Sequence, residues 1–535
     1  MDQHLNIDPP SKKGHPKGLY VLFFTEMWER FSYYGMRAIL VLFMTKMLAF
    51  DPKFASGIYG NFTALVYLTP LIGGLISDRY WGNRRSIFAG GIVMAIGQFV
   101  LFFCASFVHT DMHLTQILFV IGLTALVIGN GLFKPNISTM VNQLYKPGDK
   151  RVDAAFSIFY MGINLGAFFS PLICGWLADK IDYKWGFFAA GIGMSCGLIV
   201  FQMLKNKYIV TAEGEQIGMK PNKTTEPSTV VPNDREADNV EQADAKLQPV
   251  AGAAKKSEFS MKRVLVWLVI YGILWFVFMQ FVGFNWISTL VFSTSIAASG
   301  FIITDPTLSK VERDRIIVIY IAAFFVIFFW SAFEQAGASL TLFADQQTDR
   351  HIFGFEMPAA WFQSVNPLAI IIFAPLFAEI WTKLGKKNRE PASPLKQALG
   401  LFLLAVGYLV IAIGVKGVDG TMKASMFWLL GMYVLHTFGE LCLSPIGLSM
   451  VARLAPMRLA SLLMGVWFLA NAMANDFAGM LSKLYPENGV ATSFFGFEIT
   501  NLNQFFMIFV FLSGAAAIVL FLLSKKMLKM MHGLR

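Results

Sequence analysis

The sequence contains few charged residues. Asp, Glu, Lys and Arg make up 15% of its 535 positions, whereas hydrophobic residues make up 56%. Soluble domains carry about 25% charged residues, enough to cover an apolar core with polar surface. The low charge therefore excludes a soluble globular protein, and the mean hydropathy of +0.56 agrees with this exclusion. We expect lipid to cover much of the molecular surface.

Cysteine is also scarce. The four cysteines, Cys104, Cys174, Cys196 and Cys442, all lie within apolar runs. They have neither the paired spacing of a metal site nor the pattern of a secreted disulfide framework, so we interpret them as packing residues. The apolar runs also lack a nucleophile next to a base, which argues against an enzyme. We expect no metal ion and no other cofactor.

Basic residues outnumber acidic ones, and the formal net charge is +10. A nucleic-acid-binding protein concentrates its Lys and Arg on one soluble face. Here the basic residues lie between apolar runs instead. We therefore expect no nucleic-acid partner, and we use the basic residues as indicators of membrane topology.

Long apolar runs are abundant. A helix that crosses a bilayer needs roughly 20 mostly apolar residues, and such runs recur along the whole chain. No small-residue cleavage site follows the first run, so we expect a first span rather than a cleaved signal peptide. The sequence predicts 14 spans, at 19–48, 56–77, 86–108, 114–143, 154–178, 185–205, 262–283, 285–304, 314–344, 360–383, 396–416, 423–452, 459–484 and 502–525.

A polar stretch divides these spans into six and eight. Residues 206–261 are rich in Lys, Glu, Asp, Pro, Asn and Thr, and they cannot bury enough apolar surface to fold alone. The first two spans after this linker form a closely joined apolar hairpin. The predicted organisation is a tail at 1–18, a six-helix bundle at 19–205, a linker at 206–261, an inserted hairpin at 262–304, a second six-helix bundle at 305–525 and a tail at 526–535.

The distribution of basic residues predicts the orientation. Cytoplasmic loops hold the excess of Lys and Arg in membrane proteins. With the N terminus inside, 33 of the 44 basic residues fall in cytoplasmic segments and eight in external ones. We therefore expect a multi-pass protein of the cell membrane with both termini in the cytoplasm. A 12-span topology that omits the hairpin gives the same excess of basic residues in cytoplasmic segments.

The first span carries charges deep in the membrane, where they cost about 2.5–3.5 kcal/mol each and usually mark function. At 100° per residue, one face about 140° wide holds all of its polar groups. This stripe consists of Glu26, Glu29, Arg30, Tyr33, Tyr34 and Arg37. Ion pairs that only join helices are the alternative explanation, but four ionisable groups on one helix exceed what packing needs.

Three further charges were counted inside spans. Lys134 lies in Gly129-Asn-Gly-Leu-Phe-Lys-Pro135, a composition typical of discontinuous helices near binding sites, although a lysine that reaches the interface is an alternative. Glu334 and Glu440 lie among apolar and small residues, where each could be a lone protonated carboxylate. Asn164 and Asn366 could bind a peptide-like amide, and a role in joining helices is equally compatible with them.

The charges are distributed unequally between the halves. The first half has three cations and two carboxylates, whereas the second half has two carboxylates and no cation among the seven charges counted. A zwitterion would fit between the halves, with its carboxylate toward Arg37 and Lys134 and its ammonium toward Glu440. Because carboxylates exceed cations by one, one carboxylate can bind a proton near neutral pH. This excess is a physical basis for proton coupling.

Four segments resemble one known family. Glu26-Met-Trp-Glu-Arg-Phe-Ser-Tyr-Tyr-Gly35 resembles the ExxERFxYYG signature of the proton-dependent oligopeptide transporters, a branch of the major facilitator superfamily. Phe159-Tyr-Met-Gly-Ile-Asn-Leu-Gly166 is similar to the second signature, and Phe133-Lys-Pro-Asn136 fits the same family. The superfamily loop motif is matched by Gly73, Asp78, Arg79, Gly82, Arg84 and Arg85.

The resemblance implies an all-α polytopic membrane protein with the major facilitator fold, in which two six-helix bundles are joined by an inserted two-helix hairpin. It implies import of di- and tripeptides by alternating access, driven by the proton gradient, in a protein that functions as a monomer. Glu26, Glu29 and Arg30 resemble the proton-coupling cluster. The implied peptide site comprises Tyr33, Tyr34, Arg37, Tyr67, Lys134, Asn164, Trp330, Glu334, Asn366, Glu440, Ser444 and Trp467.

The resemblance also pairs charges across the two halves. Glu334 resembles the partner of Arg37 in an extracellular gate, and Glu440 resembles the partner of Lys134 in an intracellular gate. One position departs from part of the family, because Gly60 stands where some members have a histidine. Proton coupling would then depend on carboxylates.

Three alternatives remain at this stage. A related transporter could move nitrate, a drug or a peptide-like compound. A membrane sensor could bind a peptide without moving it, although the 206–261 linker is too short and polar for a signalling domain. A membrane enzyme is the third possibility.

Overall fold

The computed structural model of the protein describes residues 14–146, 149, 151–211, 213–220, 260–418, 422–486, 491–494 and 496–534. These residues form fifteen α-helices and six short strands. The helices are α1 (Lys17–Lys46), α2 (Pro52–Ile76), α3 (Asn83–Phe107), α4 (Met112–Gln143), α5 (Val152–Lys180), α6 (Tyr183–Tyr208), α7 (Met261–Val277), α8 (Trp286–Ile303), α9 (Lys310–Phe333), α10 (Ser339–Gln346), α11 (Val365–Lys386), α12 (Ser393–Gly414), α13 (Met426–Leu454), α14 (Ala460–Ser482) and α15 (Leu502–Met530).

Short polar residues start many of these helices. Before α2, the Asp51 carboxylate accepts hydrogen bonds from the backbone N–H groups of Lys53 and Phe54, at 2.9 and 3.2 Å. Pro52 occupies the first helical position, where its missing N–H costs no hydrogen bond. A capping box of Ser309 and Glu312 starts α9 in a similar way. These caps satisfy backbone donors in the loops and so fix where each apolar run begins.

Thirteen helical segments of the described residues are long and apolar enough to cross a membrane. Helix α1 is not among them, because its charged residues lower its apolar character. Its 30 residues nevertheless give it a length of about 45 Å, enough to span a bilayer. With α1, the structure has 14 helical spans, and their bounds lie within a few residues of the predicted ones.

Two spans differ from the sequence prediction. The span predicted at 314–344 is broken into α9 and α10 by a 3-10 turn at Glu334–Gly337. In contrast, α4 continues through Gly129 and Pro135, where we predicted a discontinuous helix. Pro135 lacks the N–H that would bond the Gly131 carbonyl, but tight packing of that carbonyl against Gly73 on α2 supports the helix.

The helices pack as two groups of six spans, and a helical hairpin lies between the two groups in the sequence. In the first group, α1 packs on α5 and α6, and α3 packs on α4 and α6. In the second group, α12 packs on α13 and α15, and α9 packs on α14. The hairpin consists of α7, extended by a π-helical turn at Phe278–Val282, and α8. Only α8 contacts the core extensively, mainly through α14, whereas none of the α7 residues is buried.

The two groups meet at one end of the molecule. We call this the distal end, where α1 and α14 finish and α2 starts. The Ser482 hydroxyl of α14 donates to the Ser56 hydroxyl of α2 at 3.0 Å. A Cβ added to Gly60 would lie 2.7 Å from the Gly479 Cα, so only glycine allows this approach of α2 and α14. The Trp361 indole N–H donates to the Leu172 carbonyl across the same boundary, at 3.1 Å.

Six short strands lie in loops at the distal end. β1 (Thr348–Asp349) pairs in parallel with β4 (Ala424–Ser425). β2 (His351–Ile352) pairs with β3 (Phe355–Glu356), and β5 (Thr492–Phe494) with β6 (Phe497–Ile499), both antiparallel. The β1–β4 pair ties two loops of the C-terminal half together, whereas each of the other two pairs is a hairpin within a single loop.

The start of the predicted linker is folded onto the first bundle. The Arg84 guanidinium donates to the carbonyl oxygens of Ile209 and Ile217, both at 2.5 Å, and to the side chains of Asn206 and Gln216, at 2.9 and 3.1 Å. Ile209 and Ile217 are buried in the main hydrophobic core. The sequence reasoning missed this segment because two isoleucines in a polar stretch do not form an apolar run. Residues 221–259 lie outside the described part of the chain.

Candidate functional site

The polar stripe of α1 contains a buried cluster of three charges. Arg30 Nε lies 2.9 Å from Glu26 Oε1 and 2.5 Å from Glu29 Oε2. All three side chains are at most 4% exposed. One guanidinium therefore neutralises two carboxylates, and the three groups together carry one negative charge when both carboxylates are ionised. A single proton would balance this charge.

Small residues on the neighbouring helices place this cluster. A Cβ added to Gly166 of α5 would lie 3.0 Å from the Phe31 backbone nitrogen, and one added to Gly193 of α6 would meet the Phe31 ring. Because these glycines let α1 pack closely through Phe31 on its apolar side, the charged stripe is directed away from α6. Helical periodicity then keeps Glu26 and Arg30 on a common face.

Helix α4 approaches the same cluster. The Asn130 amide, fully buried, donates to Glu29 Oε1 at 3.2 Å. The Lys134 ammonium, one turn further on, lies 4.0 Å from the centroid of the Tyr67 ring on α2. Within the described residues, no carboxylate oxygen lies within 4.0 Å of that ammonium. Asn130 is not among the site residues predicted from the sequence, although it lies in the Gly129–Pro135 segment.

A second ion pair joins the two halves. Arg37 Nη2 lies 2.7 Å from Glu334 Oε2, and both side chains are less than 9% exposed. Aromatic rings surround this pair, with the Arg37 guanidinium carbon 5.3 Å from the Tyr34 ring centroid and 6.0 Å from that of Tyr59. Tyr33 packs edge-to-face on Tyr34 at 5.4 Å. Glu334 is positioned by the 3-10 turn that breaks the α9–α10 span, and this turn is therefore part of the site.

The second half contributes a buried carboxylate bound to an amide. The Asn366 amide nitrogen donates to Glu440 Oε2 at 2.8 Å and lies 3.1 Å from the Thr437 hydroxyl. Glu440 and Thr437 are one helical turn apart on α13, and Asn366 lies at the start of α11. The amide therefore fixes the orientation of the carboxylate between these two helices.

Four other residues proposed from the sequence have different surroundings. Asn164 donates to the Tyr160 carbonyl of its own helix at 2.9 Å, which leaves its amide oxygen for another donor. Trp330 packs edge-to-face on Phe333 at 5.1 Å. Trp467 is 5% exposed and packs against α13 at Gly447. The Ser444 side chain lies outside the described residues.

The loop motif lies away from these charges. Gly82 has a φ of +76°, a conformation that favours glycine, in the turn between α2 and α3. Gly73 lies against the Gly131 backbone, so this part of the motif fixes how α2 crosses α4. Arg84 is buried under the segment that follows α6, whereas Asp78, Arg79 and Arg85 are exposed.

One buried charge was overlooked in the sequence. Asp476 lies inside the span predicted at 459–484 and is 2% exposed in α14. Ser288 of the hairpin helix α8 lies close to its carboxylate, but Asp476 Oδ2 and the Ser288 hydroxyl have no hydrogen-bond partner among the described residues. The signal was present, because an aspartate inside a predicted span is as unusual as the seven charges that were counted. Among the described residues, no group of three or more His, Cys, Asp or Glu side chains could hold a metal ion.

The fold and the site define a class of protein. A polytopic helical membrane protein with buried ionisable groups in both bundles, joined by an ion pair across them, is a secondary transporter rather than an enzyme. The sequence profile PTR2, described as the POT family, matches residues 84–496. The chain therefore belongs to the POT family of peptide transporters, within the major facilitator superfamily, which confirms the family and the fold expected from the sequence.

Curated relatives agree with this assignment. The chain is 37% identical over 483 residues to a peptide transporter of Yersinia enterocolitica subsp. palearctica, covering 88% of each chain. It is 32% identical over 553 residues to a di-/tripeptide transporter of Lactococcus lactis subsp. cremoris, covering 100% of both.

Solved structures are similar over nearly the whole chain. A crystal structure of a POT peptide transporter in complex with sulfate is 33% identical, has a TM-score of 0.76 and covers 98% of both chains. A POT family transporter in complex with 5-aminolevulinic acid is 30% identical, also with a TM-score of 0.76, and covers 97% of this chain and 99% of its own.

Proposed function

We propose that the protein is a proton-coupled symporter that imports di- and tripeptides by alternating access. The observation that carries this proposal is the buried cluster in which Arg30 balances two carboxylates, Glu26 and Glu29. The family membership and the names of the curated relatives support the substrate class. The proton gradient supplies the energy, and no cofactor is required.

The proton binds at the cluster. With both carboxylates ionised, the cluster has one excess negative charge, and its burial makes this charge costly. Protonation of one carboxylate removes the excess. When one carboxylate is protonated, Arg30 pairs with the other one alone. Lys134 on α4 lies within electrostatic range of both carboxylates, so protonation also changes the contacts between α1 and Lys134. This coupling links proton binding to the peptide site.

The peptide binds between the two halves as a zwitterion. Arg37 and Lys134 in the first half attract its carboxylate, and Glu440 in the second half attracts its ammonium group. The hydrogen bond from Asn366 holds Glu440 in place for this contact.

The distribution of basic residues supports a cytoplasmic N terminus, and with this orientation the distal end is external. The Arg37–Glu334 pair and the contact of Gly60 with Gly479 join the two halves on that side, which supports a state closed to the outside. The bundles at 19–205 and 305–525 would rock about the site, joined by the cytoplasmic linker and the hairpin. We infer a monomer in the cell membrane, with both termini cytoplasmic.

Uptake into proteoliposomes tests the function directly. Labelled dialanine should accumulate when the outside is acidic, because proton entry releases free energy for each peptide carried. A proton gradient of one pH unit can support about tenfold accumulation at a stoichiometry of one. The control is the same preparation without a gradient. Equal uptake in the two conditions would contradict proton symport.

A second prediction tests the ammonium contact. Replacing Glu440 by Gln keeps the hydrogen-bonding shape but removes the charge that faces the peptide amino group. Competition by dialanine should weaken by about tenfold to a hundredfold, the loss expected for a charge-assisted hydrogen bond. N-acetylated dialanine, which lacks the ammonium group, should lose much less. If both competitors lose equally, Glu440 does not bind the amino terminus.

A related solute is the second candidate. One solved relative is in complex with 5-aminolevulinic acid, which carries an ammonium and a carboxylate group, as a peptide does. Competition of this compound with labelled dialanine in the same assay would separate a peptide-selective protein from a broader one.

A further inference from the structure

We propose that Asn130 is a positioning residue of the proton-binding cluster: it keeps Glu29 ionised beside Arg30 and leaves Glu26 as the carboxylate that takes up the proton. This inference deepens the proposed function and rests on it. Nothing in the sequence motifs assigns a role to this asparagine, which lies four residues before Lys134 on α4.

The two carboxylates have different partners. Glu29 uses both of its oxygens, because Oε2 lies 2.5 Å from Arg30 Nε and Oε1 accepts the hydrogen bond from the Asn130 amide at 3.2 Å. Glu26 has no such neutral donor, because its Oε1 lies 2.9 Å from Arg30 Nε and its Oε2, like Oε2 of Glu29, accepts no hydrogen bond from the described residues. A donor to a carboxylate oxygen stabilises the ionised form. Asn130 therefore stabilises the ionised form of Glu29 but not that of Glu26.

The backbone of α4 holds Asn130 in this position. Its two neighbours in sequence are glycines, and each lies in a close helix crossing. A Cβ added to Gly129 would lie 2.6 Å from the Gly90 carbonyl oxygen of α3, and one added to Gly131 would lie 2.7 Å from Thr69 Cβ of α2. The Thr69 hydroxyl also donates to the Val127 carbonyl of α4, at 3.0 Å. With both sides fixed, the Asn130 side chain has little freedom to leave Glu29.

The charges around Glu29 come from α1 and α4. Arg30 and Glu26 lie on its own helix, and Lys134 on α4 is the other cation within range. From α2, Tyr67 contributes a phenol that contacts Lys134. From α5, Gly166 lies against the backbone of α1 beside Arg30 and has no side chain to interact. Asn130 is thus a neutral hydrogen-bond donor to Glu29, and replacing it removes that hydrogen bond without changing the charge of the cluster.

The function of this hydrogen bond is to control where the proton binds. While Asn130 holds Glu29 as an anion, that anion and Arg30 form a neutral pair, and Glu26 is left with a free oxygen for the proton. Without the Asn130 amide, Glu29 loses a partner and competes for the proton. The cluster as a whole then binds the proton more tightly, because the ionised form of Glu29 has lost the hydrogen bond from Asn130.

The test is the pH dependence of gradient-driven dialanine uptake. Asn130→Leu keeps the branched shape and the number of side-chain heavy atoms but has no donor, so the pH of half-maximal uptake should rise by about one unit, the equivalent of one lost hydrogen bond to a charged group. Asn130→Ser keeps a donor and should stay closer to the wild-type pH. Counterflow exchange, which needs no gradient, should be retained by both variants and shows that they are folded.

Asn136 provides a matched control on the same helix. It is 2% exposed and donates to the Leu132 carbonyl of its own helix at 2.7 Å, away from the cluster. Asn136→Leu should leave the half-maximal pH unchanged, even if the rate falls. An unchanged half-maximal pH in Asn130→Leu, with wild-type accumulation intact, would overturn the inference about Asn130. Failure of the wild-type protein to accumulate dialanine would instead contradict the proposed function.

Discussion

Replacing Glu26 or Glu29 by Gln is expected to abolish the accumulation of peptide while leaving exchange intact. Either change removes the excess carboxylate, so Arg30 and the remaining acid form a neutral pair that has no need of a proton. Proton entry can then no longer drive uptake. With a gradient of one pH unit, accumulation should fall about tenfold, to the level of the no-gradient control.

Two measurements on each variant separate coupling from binding. Counterflow of labelled dialanine against unlabelled peptide inside the vesicles reports binding and alternating access without a gradient. We expect this exchange to continue at a rate near that of the wild type. A variant that still concentrates peptide normally would show that the cluster does not couple the proton. Loss of exchange as well would indicate a role of that carboxylate in folding or peptide binding.

Breaking the Arg37–Glu334 pair should open the distal end. The two side chains are buried and lie 2.7 Å apart, so Glu334→Gln leaves a buried cation without its partner. Removal of one member of a buried pair costs about 3–5 kcal/mol. That cost falls mainly on the closed state, in which the pair is out of water. The equilibrium should therefore shift by more than about a hundredfold toward the state in which the distal end is open.

Labelling of a cysteine at the distal end would measure this shift. Ser482 contacts Ser56 in the closed state, so Ser482→Cys in a background without the four native cysteines should react slowly with an impermeant maleimide. Adding Glu334→Gln should accelerate the reaction strongly. The reversed pair, Arg37→Glu with Glu334→Arg, should restore slow labelling. If the reversed pair labels as fast as the single variant, the ion pair does not hold the closed state.

Lys46→Ala is the matched control for this experiment. Lys46 also forms an ion pair across the two halves at the distal end, 2.6 Å from Asp345, but its side chain is 42% exposed. Exposed pairs contribute about 0–1 kcal/mol, since water and salt screen them. The labelling rate should therefore change little. A large change would show that any charge at this end, and not burial of the Arg37 pair, governs closure.

The positions at which the spans are interrupted could not be predicted from local sequence patterns. The sequence predicted an interruption around Lys134 from Gly129, Gly131 and Pro135, and an unbroken span around Glu334. The structure has the opposite, with a continuous α4 and a 3-10 turn at Glu334–Gly337. The glycines of α4 serve close crossings with α2 and α3 instead of breaks. The turn at Gly337 lies where Tyr59 of α2 leaves room only for glycine, a contact that no local pattern reveals.

From the sequence we could predict the membrane class, the positions of the spans, the family and the face of α1 that carries Glu26, Glu29, Arg30 and Arg37. These features depend on hydropathy and on the 3.6-residue period of a helix, which are local properties. The tertiary structure adds the contacts of Asn366 with Glu440 and of Asn130 with Glu29, and it gives the Arg37–Glu334 pair, which the family resemblance implied, its 2.7 Å geometry. Contacts between helices depend on crossing angles and register set by many small residues at once, and a single sequence does not encode that geometry in any one motif.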